Sequence, residues 1–403
     1  MIFIGVIRHR RTMRRLTTQP TIVIIPIVAM MMSTPSGIFA MPDAYTLSAL
    51  GNDSAYTKTD NQKTQHAINT NINNNNNLVT VNNYDKQKNC ITDLSKRPNS
   101  IEYLTHFNCG RVSEENDQIV REFTLIAEEN QNVSISNEGH IMNGWTFNGT
   151  IPGPTMRFTE GDLVRITVIN SEENERAHSL HMHSIHPGLQ DGVEGMSGAI
   201  APGQQYTYEF IAQPFGVYPY HCHVSPIADH INRGLYGVMI IDPKEQRENM
   251  PEFVMTLNGY DLDYQHEGAT IIRPVNDTEE TFEETERGNE IYTVNGKAFD
   301  YMHTPIDIQA GQKYRIYLVN MLEFDLVNSF HLHGNMFDYI TAGTSLKPEY
   351  RTDILTLGQG DRGIIEFSIP YAGRYMFHAH VTEFTDLGWM GFFEVKDRKT
   401  NNV

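Results

Sequence analysis

The sequence predicts an all-β protein built from two similar β-sandwich units. Segments such as QIVREFTLIAEE and GDLVRITVIN alternate apolar and polar residues, which is the period of strands with one buried face. Turns such as PGP at 152–154 and APG at 201–203 separate these segments, and no long amphipathic helical pattern interrupts them. The second half of the chain repeats the plan of the first, which indicates two copies of one unit.

Matched pairs of segments carry this repeat. EGDLVRITVIN matches AGQKYRIYLVN, HMH matches HLH, HCHV matches HAHV, and GLYGVMIID matches GWMGFFEV. We place the first unit at 117–243 and the second at 251–397, and we expect 91–116 to be an N-terminal extension. Cys90 and Cys109 lie beside and within this extension, where they either form a disulfide or remain free thiols.

The first 90 residues are predicted to lie outside both units. Arginines including Arg14 and Arg15 precede an apolar run at 21–32, so that 1–40 has the layout of a signal peptide, or of an uncleaved N-terminal anchor. Residues 41–90 are rich in asparagine and predict a disordered tether, because they have little apolar surface to bury. We therefore expect the protein to be extracytoplasmic, either secreted or anchored at the outer face of a membrane.

Composition narrows the range of partners. Lys and Arg total 31 against 49 Asp and Glu, a formal net charge of −18, which argues against nucleic acid as a partner. The 17 histidines are the unusual feature, because most of them bunch into short motifs. Clustered imidazoles indicate bound metal.

Histidine pairs separated by one residue occur four times. They are His181 with His183, His221 with His223, His331 with His333, and His378 with His380. On a strand, each pair places two imidazoles on one face, while Cys222 points to the face opposite its flanking histidines. Cys222 then combines with His178 and His230 as a His2Cys set, which is typical of a blue-copper electron-transfer site.

These motifs carry a family resemblance. The motifs are NGTIPGP (148–154), HSLHMH (178–183), HCHVSPIADH (221–230), GLYG (234–237), FHLHG (330–334) and HAH (378–380). On them, the chain resembles the two-domain multicopper oxidases, a small laccase-like group. The resemblance implies two cupredoxin-like Greek-key β-sandwich domains. It also implies copper as the cofactor, with four ions per protomer.

The resemblance also assigns ligands residue by residue. The type 1 copper would be held in the first domain by His178, Cys222 and His230. The type 2 copper would be held by His181 and His331. The two type 3 coppers would be held by His183, His221, His223, His333, His378 and His380. The second domain has Ala379 where a cysteine ligand would stand, so we expect no type 1 site there.

Further residues near the motifs are expected to influence the copper sites without binding copper. Leu235 occupies the place of an axial methionine ligand, and a non-coordinating side chain there should raise the reduction potential. Asp191 resembles a catalytic carboxylate that relays protons near the trinuclear cluster, although a structural turn residue is the alternative. Glu383 and Asp386 are further candidate relays, and His186 is expected to lie outside the ligand set.

The implied function is oxidation of a small reducing substrate at the type 1 copper, coupled to reduction of dioxygen to water at the trinuclear cluster. The reductant would be a phenol, a metal ion or a small nitrogen compound. The resemblance also implies a homotrimer, in which the cluster forms between the first domain of one protomer and the second domain of its neighbour. One alternative is a copper-containing nitrite reductase, which needs an aspartate in place of His181 and a non-ligand in place of His223. The other is a non-catalytic copper or electron-transfer protein of the cell envelope.

Overall fold

The computed structural model describes residues 90–91, 96–183, 186–193, 198–262 and 288–398. All of them belong to one compact unit, residues 73–403. The predicted signal segment and all but the last residue of the predicted tether lie outside the described residues. None of the helices in the described ranges is long and apolar enough to cross a membrane.

The first domain is a pair of β-sheets. Its sheets consist of β1 (Phe107–Asn108) and β2 (Arg111–Glu115), which the N-terminal extension contributes, and of β3 (Gln118–Ser134), β4 (Ile141–Phe147), β5 (Thr155–Thr159), β6 (Leu163–Asn170), β7 (His181–Met182), β8 (Gln205–Ile211), β9 (Gly216–His221) and β10 (Tyr236–Asp242). Helix α1 (Ser100–Tyr103) lies in the extension, and the domain itself has helix α2 (Ile227–Asn232) and a 3-10 turn at Gly188–Gln190. One sheet has the order β1-β5-β10-β9-β7, and the other has the order β2-β3-β6-β8 with β4 paired to β3.

The second domain repeats this arrangement. Its strands are β11 (Glu252–Tyr260), β12 (Ile291–Val294), β13 (Ile306–Gln309), β14 (Lys313–Asn320), β15 (Asn328–Leu332), β16 (Phe337–Thr341), β17 (Tyr350–Thr352), β18 (Ile354–Leu357), β19 (Arg362–Ser368), β20 (Gly373–His378) and β21 (Met390–Lys396). Helices α3 (Asp300–His303) and α4 (Thr382–Asp386) are short. The sheets have the orders β12-β11-β14-β19-β16-β17 and β13-β21-β20-β15-β18. The predicted all-β fold is confirmed.

Burial follows the sequence pattern where a strand has one buried face. In β6, every second residue is buried, and Val164, Ile166 and Val168 are fully enclosed. In β10 and β11, by contrast, every residue is buried. Both strands contribute to a third apolar core that joins the two domains, so neither of their faces meets solvent.

The N-terminal extension packs on both domains. A disulfide joins Cys90 to Cys109, with their Cα atoms 5.7 Å apart. Strand β1 pairs in parallel with β5 of the first domain. Tyr103 enters the apolar core between the domains, and Leu104 enters the core of the second domain. The extension therefore connects the two domains as well as preceding them.

A buried ion network also crosses the domain interface. Arg157 of the first domain donates two hydrogen bonds of 2.9 Å to Asp242 and one of 2.6 Å to Glu252 of the second domain. Arg315 donates to the other oxygen of Glu252 at 2.8 Å. These side chains are about nine-tenths buried or more, so each charge depends on its partner for stabilisation.

We expect Arg157→Met to lower the free energy of unfolding by about 3–5 kcal/mol, because the substitution removes the buried cation that Asp242 and Glu252 share. Urea denaturation measures this change. Lys313→Met is the matched control, since Lys313 pairs with Glu248 on the exposed surface, and it should cost at most about 1 kcal/mol. Equal losses in the two variants would contradict the importance of the network.

Candidate metal centres

The three ligands predicted for a mononuclear site converge inside the first domain. Cys222 follows β9, His178 precedes β7, and His230 lies in α2. Nδ1 of His230 is 3.1 Å from the Cys222 sulfur, and Nδ1 of His178 is 3.8 Å from it. All three side chains have 0% exposure. A buried thiol with two converging imidazole nitrogens is the donor set of a type 1 copper site, so these residues fit that ion.

The surroundings favour the thiolate form of Cys222. Burial acts to raise the pKa of this thiol, but His230 and His178 outweigh burial and hold the pKa well below its usual range. The backbone N–H of Ser179 also donates to the sulfur, at 3.3 Å. A thiolate is the form that binds a metal ion.

Leu235 and Trp145 enclose this site. The Leu235 N–H donates to the His230 carbonyl at 3.0 Å, and the Leu235 carbonyl accepts from the Cys222 N–H at 2.9 Å. Leu235 therefore lies beside the ligand set and shares an apolar core with Cys222, while the axial place of its side chain stays a prediction. The Trp145 ring packs edge-on against His178 and His230, with centroids 5.4 and 4.8 Å away. Trp145 was missed in the sequence, because β4 is remote from every histidine motif.

The second domain fills the equivalent space with tryptophan. Ala379 donates its N–H to the Trp389 carbonyl at 3.2 Å, which is the bond that Cys222 makes to Leu235 in the first domain. Trp389 is fully buried, and its Nε1 donates to Asn328 at 3.0 Å. Asn328 stands where the first domain has His178. An indole and an amide thus replace the mononuclear ligand set.

Four imidazoles gather at the outer end of the first domain. His181 lies opposite His221 in the pairing of β7 with β9. His183 Nε2 is 3.2 Å from His221 Nε2, and the His223 ring centroid is 4.9 Å from that of His181. Burial lowers the pKa of His183 to about 4 and that of His221 to about 3. Neutral imidazoles are the form that binds metal, so this first quartet fits a copper cluster.

The second domain presents a matching set, the second quartet. His331 lies opposite His378 in the pairing of β15 with β20, and His333 Nε2 is 2.9 Å from His378 Nε2. The His380 ring centroid is 5.4 Å from that of His331. His333 and His380 are exposed. This quartet is therefore more open to solvent than the first.

Hydrogen bonds around the quartets repeat as well. The Ser179 hydroxyl accepts from the His223 N–H at 3.1 Å, and the Ser329 hydroxyl accepts from the His380 N–H at 2.8 Å. Each serine lies two residues before the first histidine of an HxH pair. This shared spacing could have predicted the role of both serines, which was missed in the sequence. Thr385 in α4 was also missed, and its hydroxyl lies 3.3 Å from His378 Nδ1.

The predicted carboxylate Asp191 contacts the first quartet. His181 Nδ1 donates to the Asp191 carbonyl at 2.9 Å and lies 3.0 Å from its carboxylate, which leaves Nε2 of His181 for a metal. His186 Nε2 is 3.1 Å from the same carboxylate. His186 forms one compact group with His181 and Asp191, and its place outside the ligand set stays a prediction. Glu383 and Asp386 are exposed on α4.

The two quartets remain separate within one chain. Across the described residues, every close pair of histidine rings lies inside a single quartet or joins it to His186, apart from the pair at the His2Cys site. Each quartet therefore offers half of the eight imidazoles assigned to the trinuclear cluster.

Fold and donor groups together define a two-domain cupredoxin protein with copper-binding sites. Family models described as multicopper oxidase match residues 129–246 and 271–399. The crystal structure of a multicopper oxidase is 43% identical, has a TM-score of 0.66, and aligns over 74% of this chain and 97% of its own. The chain belongs to the multicopper oxidase family, whose members are copper-dependent oxidoreductases.

Two further relatives show that the similarity extends to both oxidases and nitrite reductases. The blue copper oxidase of Nitrosomonas europaea is 26% identical with a TM-score of 0.60, covering 68% of this chain and 86% of that one. The copper-containing nitrite reductase of Neisseria gonorrhoeae is 29% identical over 59% of this chain, and the match spans 58% of the reductase. The chain thus covers less than two thirds of that curated relative.

Cys222→Ser should abolish the blue thiolate-to-copper absorption and stop oxidation of external reductants, because the sulfur ligand of the mononuclear site is lost. Visible spectroscopy and steady-state turnover measure both effects. Full turnover in Cys222→Ser would show that electrons enter elsewhere.

Proposed function

We propose that the chain is a laccase-like oxidase, which couples one-electron oxidation of a small reductant to four-electron reduction of dioxygen to water. The observation that carries this proposal is the presence of two imidazole quartets in addition to the buried His2Cys set. Four coppers per protomer, one of type 1, one of type 2 and two of type 3, would supply the electron transfer when bound. The ligands are those assigned above from the sequence.

The backbone of Cys222 links the two kinds of site. His221 and His223 flank it directly and belong to the first quartet. His221 Nδ1 also donates to the Cys222 carbonyl at 2.9 Å, which adds a hydrogen-bonded route beside the covalent one. Electrons that arrive at the buried thiolate therefore have a short path to the quartet imidazoles.

Asp191 is suited to deliver protons. Reduction of dioxygen to water consumes protons, and a carboxylate near the cluster can relay them. Asp191 lies between His181 and His186 and is only partly buried, so it has access to both the quartet and solvent. His186 extends this route by one more titratable group.

Nitrite reduction is the second candidate, because the curated relatives include copper-containing nitrite reductases. Reductases of that kind place an aspartate where this chain has His181 and a non-ligand where it has His223. Here both positions hold imidazoles that pack against each other. This difference supports the oxidase. A non-catalytic envelope copper protein would have no need for two complete quartets.

The proposed assembly is a homotrimer. The second quartet opens onto a surface pocket lined by residues that include Met336, which is 45% exposed. A neighbouring protomer's first domain can cover that pocket and supply the missing imidazoles, and repetition of this contact around a three-fold axis closes a ring.

The proposed function includes a cellular location for the protein and a class of reductant. We place the protein outside the cytoplasm, secreted or anchored, which the Cys90–Cys109 disulfide supports, because disulfides persist in oxidising compartments. A phenol, a reduced metal ion or a small nitrogen compound would serve as the reductant. Oxygen uptake against a panel of these compounds identifies which one is used.

Copper-loaded protein should contain close to four coppers per chain and consume oxygen with a suitable reductant. Metal analysis and an oxygen electrode provide the two measurements. Cys222→Ser is the matched control and should retain close to three coppers, because both quartets are intact. Two coppers per chain together with nitrite turnover would establish the reductase instead.

A mixing experiment tests the shared cluster. One variant lacks His181 and His183, another lacks His331 and His333, and each should be inactive alone. Refolded together, the two should regain part of the oxygen-reducing activity, because some interfaces then pair two intact quartets. Mixed oligomers with no recovery would place the cluster within a single chain.

A further inference from the structure

A buried carboxylate contacts one ligand of the His2Cys site. Glu129 lies at the bulge of β3, and its side chain is 1% exposed. Its Oε1 accepts a hydrogen bond of 3.0 Å from His178 Nε2 and another of 3.0 Å from the Arg176 N–H. The Arg176 guanidinium is 3.8 Å from Oε2, beyond hydrogen-bonding distance. The carboxylate is thus held in place mainly through His178 and the backbone.

This contact fixes which nitrogen of His178 faces the metal site. Nδ1 points to the Cys222 sulfur, so Nε2 carries the proton that is donated to Glu129. A carboxylate that accepts from a ligand imidazole orients the ring and makes its other nitrogen a stronger donor to a metal. The other imidazole ligand differs, because His230 Nε2 is buried with no hydrogen-bond partner among the described residues. Only one of the two imidazoles is supported in this way.

The second domain provides an internal comparison. The Ile126 carbonyl accepts from the Asn148 N–H at 2.9 Å, and the Thr256 carbonyl accepts from the Asn295 N–H at 2.8 Å. These equivalent bonds set the register between β3 and β11. Three residues further on, β3 has a bulge at Glu129, and the matching position in β11 is Gly259. The carboxylate thus occurs in the domain that has the His2Cys set and is absent from its counterpart.

We propose that Glu129 is a positioning residue of the type 1 copper site, which holds His178 and lowers the reduction potential of the copper. The inference rests on the type 1 site proposed above. A negative charge in a buried, weakly screened setting stabilises the more positive Cu(II) state over Cu(I). Its effect opposes that of Leu235, which lacks a donor atom and favours Cu(I).

Glu129→Gln tests the proposal in the full-length, copper-loaded protein. Glutamine keeps the shape of the side chain and an oxygen that can accept from His178, but it removes the charge. The reduction potential, measured by redox titration of the blue absorption band, should shift upward with copper content unchanged. Glu175→Gln is the matched control, because it removes an exposed carboxylate from the same segment as Arg176, and its potential should equal that of the unmodified protein.

An unshifted potential in Glu129→Gln with an intact blue band would overturn the role of Glu129, since a purely structural contact survives this substitution. If Glu129→Gln does not load copper, Glu129→Asp decides the matter. Aspartate keeps the charge but withdraws it by one methylene, so a smaller upward shift is expected, and no shift overturns the proposal. A blue band that is absent from the unmodified protein, or that persists in Cys222→Ser, would instead overturn the type 1 site itself.

Discussion

The alternation of side chains at the end of strand β9 and just beyond it is the constraint on which the metal sites depend. His221, Cys222 and His223 are consecutive, so the sulfur points into the apolar core while the two imidazoles point away from it. A buried thiolate and an outer imidazole cluster therefore share one stretch of backbone. The bonds that hold this stretch, from Leu235 and from the Ser179 hydroxyl, are found again around Ala379 and Ser329 in the second domain.

The two domains use this plan differently because of what fills the space behind the strand. In the first domain, the space holds His178, His230 and the sulfur, with Trp145 packed against both imidazoles. In the second, Trp389 fills it and bonds to Asn328, which leaves no room for an ion. The His2Cys donor set of the first domain and the tryptophan-filled core of the second thus differ by a few substitutions on one backbone.

The interface between the two domains is extensively buried, whereas the second quartet is exposed to solvent. Strands β10 and β11 are buried along their whole length, and the extension that carries Tyr103 and Leu104 packs into two cores. The buried ion pairs of Arg157 add hydrogen bonds of fixed geometry to this apolar interface. Within the described residues the two quartets stay apart, and the assembly proposed above would bring them together.

The sequence by itself determined the all-β fold, the duplication and the residues of each histidine group, because strand periodicity and HxH spacing are local properties. It did not determine the full burial of β10 and β11, since the pattern of a strand does not show that a second domain covers its other face. Glu129 and Trp145 became recognisable as neighbours of the ligands only in the folded chain. Glu129 is separated from His178 by 49 positions, and only the tertiary structure decided that the two side chains meet.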